Sequence, residues 1–416
     1  MNIKRLQLTR MRAFDQAEFD FNPGMNLLVG VNGVGKTTVL DALRICVSKM
    51  LPAVTASRSR PIPFVAEDIR GKAAAMTVRL FLELEQRDFE FLIHKQREHS
   101  VAHKAGEVRQ QTRNTPDQET CTPALSILGD DLKGAERQPL GIFFSIRRSL
   151  VSDATPSSAS AAGGQAAAFA DALASRELRL AELAYWMRAQ EELTGERPQA
   201  KKHLAALQRA ARGFLPECKN LCAETSPKPR LFVTKDGLLL DARQLSDGER
   251  GLLALVLDLA KRLSQANPGL SDPVKLGEAV VLIDELDLHL HPKWQRTIVE
   301  RLTKVFPRCQ FIVTTHSPQI VAAVEPEQVL LLTAAGVVRP DRTLGMDSNW
   351  ILRHLMEADD RPAGAAKAIR SVEALIKRGT FTKARTAIAE AKKNGLDLPE
   401  WSVLEARMAR LEMFAT

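Results

Sequence analysis

Four short stretches carry residue types and spacings that could do chemistry. The first is Gly30-Val31-Asn32-Gly33-Val34-Gly35-Lys36-Thr37, which has the spacing of a phosphate-binding loop. Glycines let main-chain N–H groups curl around phosphate oxygens at angles that a side chain would block. Lys36 would reach β- and γ-phosphates as a point charge, and the Thr37 hydroxyl would ligate Mg²⁺. The loop follows an apolar run, Met25 to Val29, and opens a helical pattern from Lys36 to about Met50. A helix there would turn its positive end toward the same phosphates.

The second stretch is Val280-Val281-Leu282-Ile283-Asp284-Glu285. A buried strand would deliver two carboxylates at its end: Asp284 for a Mg²⁺ water shell, Glu285 to orient and polarise an attacking water. The third is Leu245-Ser246-Asp247-Gly248-Glu249-Arg250. Ser246 with Glu249 three residues on reads as a capping box. It reads equally as a second anion site made of a hydroxyl, a glycine backbone and a helix N-terminus. The fourth is Thr314-Thr315-His316-Ser317-Pro318. A histidine at the end of a strand could hydrogen-bond a γ-phosphate oxygen or the attacking water. His289 and His291 flank Leu290, but no third ligand stands near and Pro292 opens a helix. Those two are expected to position a loop rather than hold a metal.

These groups need strands and helices to hold them. Apolar and polar residues alternate in Ile3 to Leu8, Ala17 to Phe21, Met76 to Leu84 and Phe89 to Lys95, which predicts strands. Residues 96 to 138 are polar and poorly patterned, and Gly141 to Ile146 is a strand-like apolar run followed by Arg147-Arg148. Ser152 to Gly164 reads as a flexible linker. Gln165 to Glu192 and Ala200 to Phe214 read as helices, too short for long coiled-coil arms. Leu231–Val233 and Leu238–Leu240 flank a hairpin turn, and a helix follows from about Asp247 to Gln265. Ala279–Ile283 and Phe311–Val313 suit buried parallel strands, with a helix from about Pro292 to Val305 between them and a last strand at Val329–Leu332. In the tail, Ile369, Val372 and Ile376 share a helical face, as do Phe381, Ala384, Ile388 and Ala391, and then Trp401, Leu404, Met408 and Leu411. Those faces must pack on each other, on the body or on a partner.

The 416 residues are 45% apolar, ample for a folded core. No apolar run is long enough for a membrane span, and the first residues lack a secretory h-region. Five cysteines, with Cys218 and Cys222 far from any second zinc pair, fit a reducing, cytoplasmic setting. The net charge of +8 is uneven: Arg361 to Thr416 carries 11 Lys/Arg against 6 Asp/Glu. Such a tail suits nucleic acid or an acidic partner as well as a plain solvated face.

Taken together, GVNGVGKTT, LSDGER, VVLIDELDLHLHP and TTHSP resemble the Walker A, signature, Walker B with D-loop, and switch histidine of SMC/RecF-like ABC ATPases. The LHLHP ending is similar to stand-alone bacterial defence ATPases, above all the PtuA-type ATPases of Septu and retron anti-phage systems. WILRHLMEADDRP and the repeated amphipathic tail carry that closer likeness. The resemblance implies an α/β fold: an ABC-type P-loop head, a mixed sheet flanked by helices, with a short helical insertion and a helical tail. Its segments would be an ATPase lobe at 1–151, a linker and insertion at 152–228, a second lobe at 229–335 and the tail at 336–416. It also implies a head-to-tail homodimer, or a higher even-numbered oligomer. ATP held by Gly30 to Thr38 of one subunit, Asn32, Gly33, Gly35, Lys36, Thr37 and Thr38 among them, would be capped by Ser246, Gly248 and Glu249 of the other. Arg12 matches a position where this class places a basic residue near the nucleotide. Glu67-Asp68 stands roughly where the Q-loop should be, without its glutamine. The Toprim module of related nucleases, with its Asp-x-Asp, is not matched by Asp359-Asp360. A PtuB-like HNH nuclease on a separate chain is the implied partner. A DNA repair ATPase of the RecF type, a transport motor and a non-hydrolysing scaffold are the rival readings.

Overall fold

In the computed structural model, which describes residues 1–104, 107–114, 116–122, 124–149, 164–224, 228–357 and 363–415, alternating patterns become an antiparallel sheet with one buried face. β1 (Asn2–Met11) and β2 (Phe14–Asp20) pair antiparallel, and β3 (Met25–Val29) leaves for a second sheet. β4 (Ala75–Leu84), β5 (Arg87–Lys104), β6 (Glu107–Asn114) and β7 (Gln118–Cys121) complete the first sheet, ordered β2-β1-β4-β5-β6 with β7 also on β5. β4 buries every second residue, as its sequence predicts.

β8 (Leu140–Phe144) belongs to the second sheet, while β9 (Cys218–Glu224), β10 (Arg230–Lys235) and β11 (Leu238–Asp241) form a small antiparallel one. β12 (Ala279–Ile283), β13 (Cys309–Thr314), β14 (Val329–Thr333) and β15 (Gly336–Val338) join β3 and β8 in the order β15-β14-β3-β13-β12-β8. Among the described residues only β15 runs antiparallel there; the other pairings are parallel. β3, β8, β12 and β13 are buried along their whole length, which explains their mostly apolar sequences; the polar exceptions Asn26, Gln310 and Thr314 are hydrogen-bonded. The mixed sheet is flanked by helices, among them Lys36–Val54 and Asp247–Ala266.

Several expectations need correction. The poorly patterned stretch 96 to 138 holds the end of β5, then β6, β7 and the helix Ala124–Lys133. β6 reads EVRQQTRN, so it has no apolar face to betray it; main-chain pairing with β5 makes it a strand. The single helix expected over Gln165 to Glu192 is two, Gly164–Phe169 and Leu180–Leu193. Asp171 between them adopts φ 53°, a conformation that no right-handed helix continues. The helix expected over Pro292 to Val305 is also two, Pro292–Gln295 and Ile298–Val305, parted at Thr297 with φ −115°. β9 has no clear signature in the sequence, because its polar residues mask the alternation. Residues 152 to 163 of the expected linker and Asp359-Asp360 lie outside the described residues. Among the described residues no helix is long and apolar enough to cross a membrane.

The helix Asp247–Ala266 fastens neighbouring elements by buried charges as well as by leucines. Lys261 lies 2.7 Å from Glu182, and Asp258 is gripped by Arg262 at 2.9 Å and Arg176 at 3.0 Å. Burial alone would raise the Asp258 pKa, but the two guanidiniums outweigh it and hold the carboxyl well below its usual range.

Two compact units divide the chain, Met1–Ser348 and Asn349–Thr416. Within the second, the apolar faces of Ala363–Lys377, Phe381–Lys393 and Glu400–Ala415 cover one another: Val372, Ile376, Ala384, Ile388, Trp401, Leu404 and Met408 share one core. Leu411, expected on the third face, stays exposed. Trp401 also donates its indole N–H to the Leu396 carbonyl at 2.7 Å. Trp401→Ala is expected to destabilise this unit by about 3–5 kcal/mol, read as earlier proteolytic nicking of the tail in the intact chain.

Candidate nucleotide site

Parallel register brings the strand ends together. Thr314 of β13 lies opposite Leu28 of β3, and Ile283 of β12 opposite both Val313 and Phe144 of β8. The loops that follow β3, β12 and β13 therefore emerge along one edge, where open parallel sheets bind ligands. They enclose a cleft of about 320 Å³ lined by Arg12, Asn32, Gly33, Gly35, Lys36, Thr37, Thr38, Asp284, Glu285, Thr314 and His316. A larger cavity of about 980 Å³, among Leu180–Leu193, Pro198–Phe214 and Asp247–Ala266, contains none of the motif residues.

The phosphate loop is built as its glycines require. Gly30 and Gly35 have φ +152° and +111°; a Cβ would meet the Leu332 carbonyl oxygen at the first and the Phe14 ring at the second, each at 2.5 Å. Lys36 is buried, and its Nζ donates to the carbonyls of Gly30 at 2.8 Å and Val31 at 3.0 Å. Burial lowers the pKa of this ammonium, while Asp284, Glu285 and Asp287 pull it back up. The helix Lys36–Val54 starts at this loop with its N-terminus toward the cleft side, as anion binding needs.

The acidic side is equally ordered. Asp284 is buried, and its Oδ1 accepts from the Thr314 hydroxyl at 2.7 Å. The same hydroxyl accepts the Glu285 N–H at 2.7 Å. Glu285 has φ 51°, a strained conformation for a residue with a side chain. Asp287 accepts from the Thr315 hydroxyl at 2.6 Å and from the His316 N–H at 3.1 Å, so it ties the two loops together. His316 itself is exposed on the cleft. Arg12 lines the cleft too, but its guanidinium also bridges Asp41 at 2.7 Å and Asp68 at 2.8 Å. Asp68, near the expected Q-loop position, is buried and does not line the cleft; it touches the site through Arg12.

Ser246, Gly248 and Glu249 are not in this cleft. The Ser246 hydroxyl donates to Glu249 Oε2 at 2.8 Å, the Glu249 N–H points back at that hydroxyl at 3.4 Å, and Lys235 holds Oε1 at 2.6 Å. The capping-box geometry is thus present within the subunit. Burial would raise the Glu249 pKa, but Lys235 and Ser246 keep it below its usual range. His291 caps the short helix after it, accepting the Lys293 N–H at 3.2 Å.

Three further residues shape the site: Thr314, Asp287 and Arg148. Thr314 and Asp287 stand inside the chemical motifs, so their neighbours are the signal for them. Arg148 follows β8, 136 positions before Asp284, and donates to the carbonyls of Asp284 and Glu285. Only strand register reveals that proximity.

Known proteins are similar to this chain in sequence. A family model described as "AAA domain, putative AbiEii toxin, Type IV TA system" matches residues 25–322. The retron Ec83 probable ATPase of Escherichia coli is 42% identical over 162 residues, 39% of this chain and 30% of that protein. The retron Vc95 probable ATPase of Vibrio cholerae serotype O1 biovar El Tor is 36% identical over 182 residues, 42% of this chain and 35% of that protein. The Septu protein PtuA of Bacillus mycoides (strain KBAB4) is 43% identical over 74 residues, 18% of this chain and 10% of that protein. The aligned stretches span about a third or less of these relatives. The likeness to Septu and retron ATPases expected from the sequence is met by relatives of those names.

Proposed function

We propose that this chain, which belongs to the AAA-domain family matched by its residues 25–322, hydrolyses ATP between two copies of itself and so governs a separate nuclease in anti-phage defence. The observation that carries the reading is the meeting of Lys36, Thr37, Asp284, Glu285 and His316 on one cleft.

The donor set suits a nucleotide triphosphate. Lys36 is a desolvated cation already turned toward the phosphate loop, and Gly33 and Gly35, both at positive φ, line the cleft with the kind of backbone that cradles phosphate. Mg²⁺, for which Thr37 and Asp284 are the fitting ligands, would neutralise charge that develops on the phosphates. Glu285 would hold the attacking water and take up its proton, while His316 would donate to a γ-phosphate oxygen. Arg12 would add positive charge at the rim. Ser246, Gly248 and Glu249 would cap the nucleotide of the facing subunit, since they stand outside the cleft of their own.

A partner of HNH-nuclease chemistry, encoded beside this chain, is the proposed output. Two measurements test the reading. Phosphate release from ATP should require Mg²⁺ and stop with EDTA. A tagged copy should copurify with the neighbouring nuclease, whose DNA cleavage should change with the nucleotide supplied. A nuclease that neither copurifies nor responds sinks the partner half. Turnover that rises with duplex DNA and falls steeply with salt would instead favour the RecF-type reading.

A further inference from the structure

Arg148 lies just past β8, beside the end of β12. Its side chain is buried, with 6% of the residue exposed, and donates to the carbonyls of Ser145, Asp284 and Glu285. Burying a guanidinium is costly, so its retention needs partners that repay desolvation. A guanidinium keeps its charge in proteins, so the three carbonyls accept from a buried cation. The main chain it grips is the strained one, with Glu285 at φ 51°. A sparsely populated conformation persists only where surroundings over-determine it.

The turn that carries Arg148 adjoins the signature helix, Asp247–Ala266. Arg148, Asp247, Gly248, Leu252, Leu286 and Leu290 line one small cavity of about 20 Å³. A Cβ on Gly248 would lie 2.6 Å from the His289 carbonyl oxygen, so the helix start and the loop after Glu285 are in direct contact.

We infer that Arg148 is a positioning residue: it pins the main chain at Asp284 and Glu285, sets the Glu285 carboxylate in the cleft, and locks that loop to the signature helix of its own subunit. This rests on the reading of the cleft as hydrolytic. It also gives a route by which an event at one cleft reaches the Ser246 that serves the other: the loop and the helix start move as one body.

The test compares Arg148→Lys and Arg148→Met in the full chain. Arg148→Met should lower kcat about 10- to 100-fold, the range that small misplacements of a reacting group produce. ATP affinity should stay within about 3-fold, because the phosphate loop is untouched. Arg148→Lys should fall between, since an ammonium reaches the carbonyls without the planar fork. The amides of Leu286, Leu288 and Leu290 are hydrogen-bonded within the structure, and in Arg148→Met they should exchange faster than those of β3. A kcat within about 2-fold of wild type, or ATP affinity lost in step with kcat, overturns the inference. If the wild-type chain does not hydrolyse ATP, the hydrolytic reading fails. The exchange arm then still decides the clamp, with unchanged exchange at Leu286 to Leu290 overturning it.

Discussion

Glu285→Gln is expected to lower ATP turnover by about 10²- to 10³-fold, with ATP affinity within a few-fold of wild type. The substitution keeps size, shape and backbone demand, so the strained φ and the grip of Thr314 and Arg148 survive. What it removes is the carboxylate's ability to orient water by charge and to take its proton. Lys36 and the loop N–H groups remain, so ATP should still bind, and the closed pair should outlive the wild-type one. Steady-state phosphate release, ATP binding and size-exclusion chromatography with ATP and Mg²⁺ separate these effects. Turnover unchanged by the substitution would remove Glu285 from the chemistry and favour a chain that uses ATP as a structural glue.

The legible part of the site is that in which one short segment does one job. The phosphate loop needs its glycines and Lys36 within eight residues, and the strand ending in Asp284-Glu285 needs only its apolar run. Those segments carry their chemistry in local sequence, and the structure assembles them through the parallel register of β3, β12 and β13. Arg148 was opaque for the opposite reason. An arginine after a strand is a common solvated residue, and its meaning comes from Phe144 lying opposite Ile283 across the sheet. The fold follows the same rule. β4 and β12 announce themselves, because burial of one face or both imposes a period on composition. β6 pairs with β5 along its whole length, and its sequence shows no period. Helix breaks at Asp171 and Thr297 were hidden because helical residues stand on both sides, and composition does not record a single dihedral.

The second large effect concerns Ser246. Its hydroxyl is exposed and engaged with Glu249, Glu249 is braced by Lys235, and none of the three lines the cleft of its own subunit. A polar cap built with this care at a helix N-terminus, yet outside the cleft that would hold its own chain's phosphates, makes sense if another copy brings the phosphates to it. In a two-fold pair the arrangement is reciprocal: each cleft takes its loop from one subunit and its cap from the other. Lys36→Ala should therefore kill both clefts of a pair by removing the phosphate cation. Ser246→Arg should kill both by obstructing the cap. A pair made of one subunit of each kind holds one doubly damaged cleft and one intact cleft. Random mixing makes half of the pairs mixed, so co-expressed variants should regain about a quarter of wild-type turnover, and isolated mixed pairs about half. Each variant alone should stay below about 1%. Differently tagged subunits, purified over two affinity steps, allow the measurement. Mixed pairs no more active than either parent would mean that loop and cap do not meet across subunits. Ser246 would then be what its isolated geometry already makes it, the cap of its own helix.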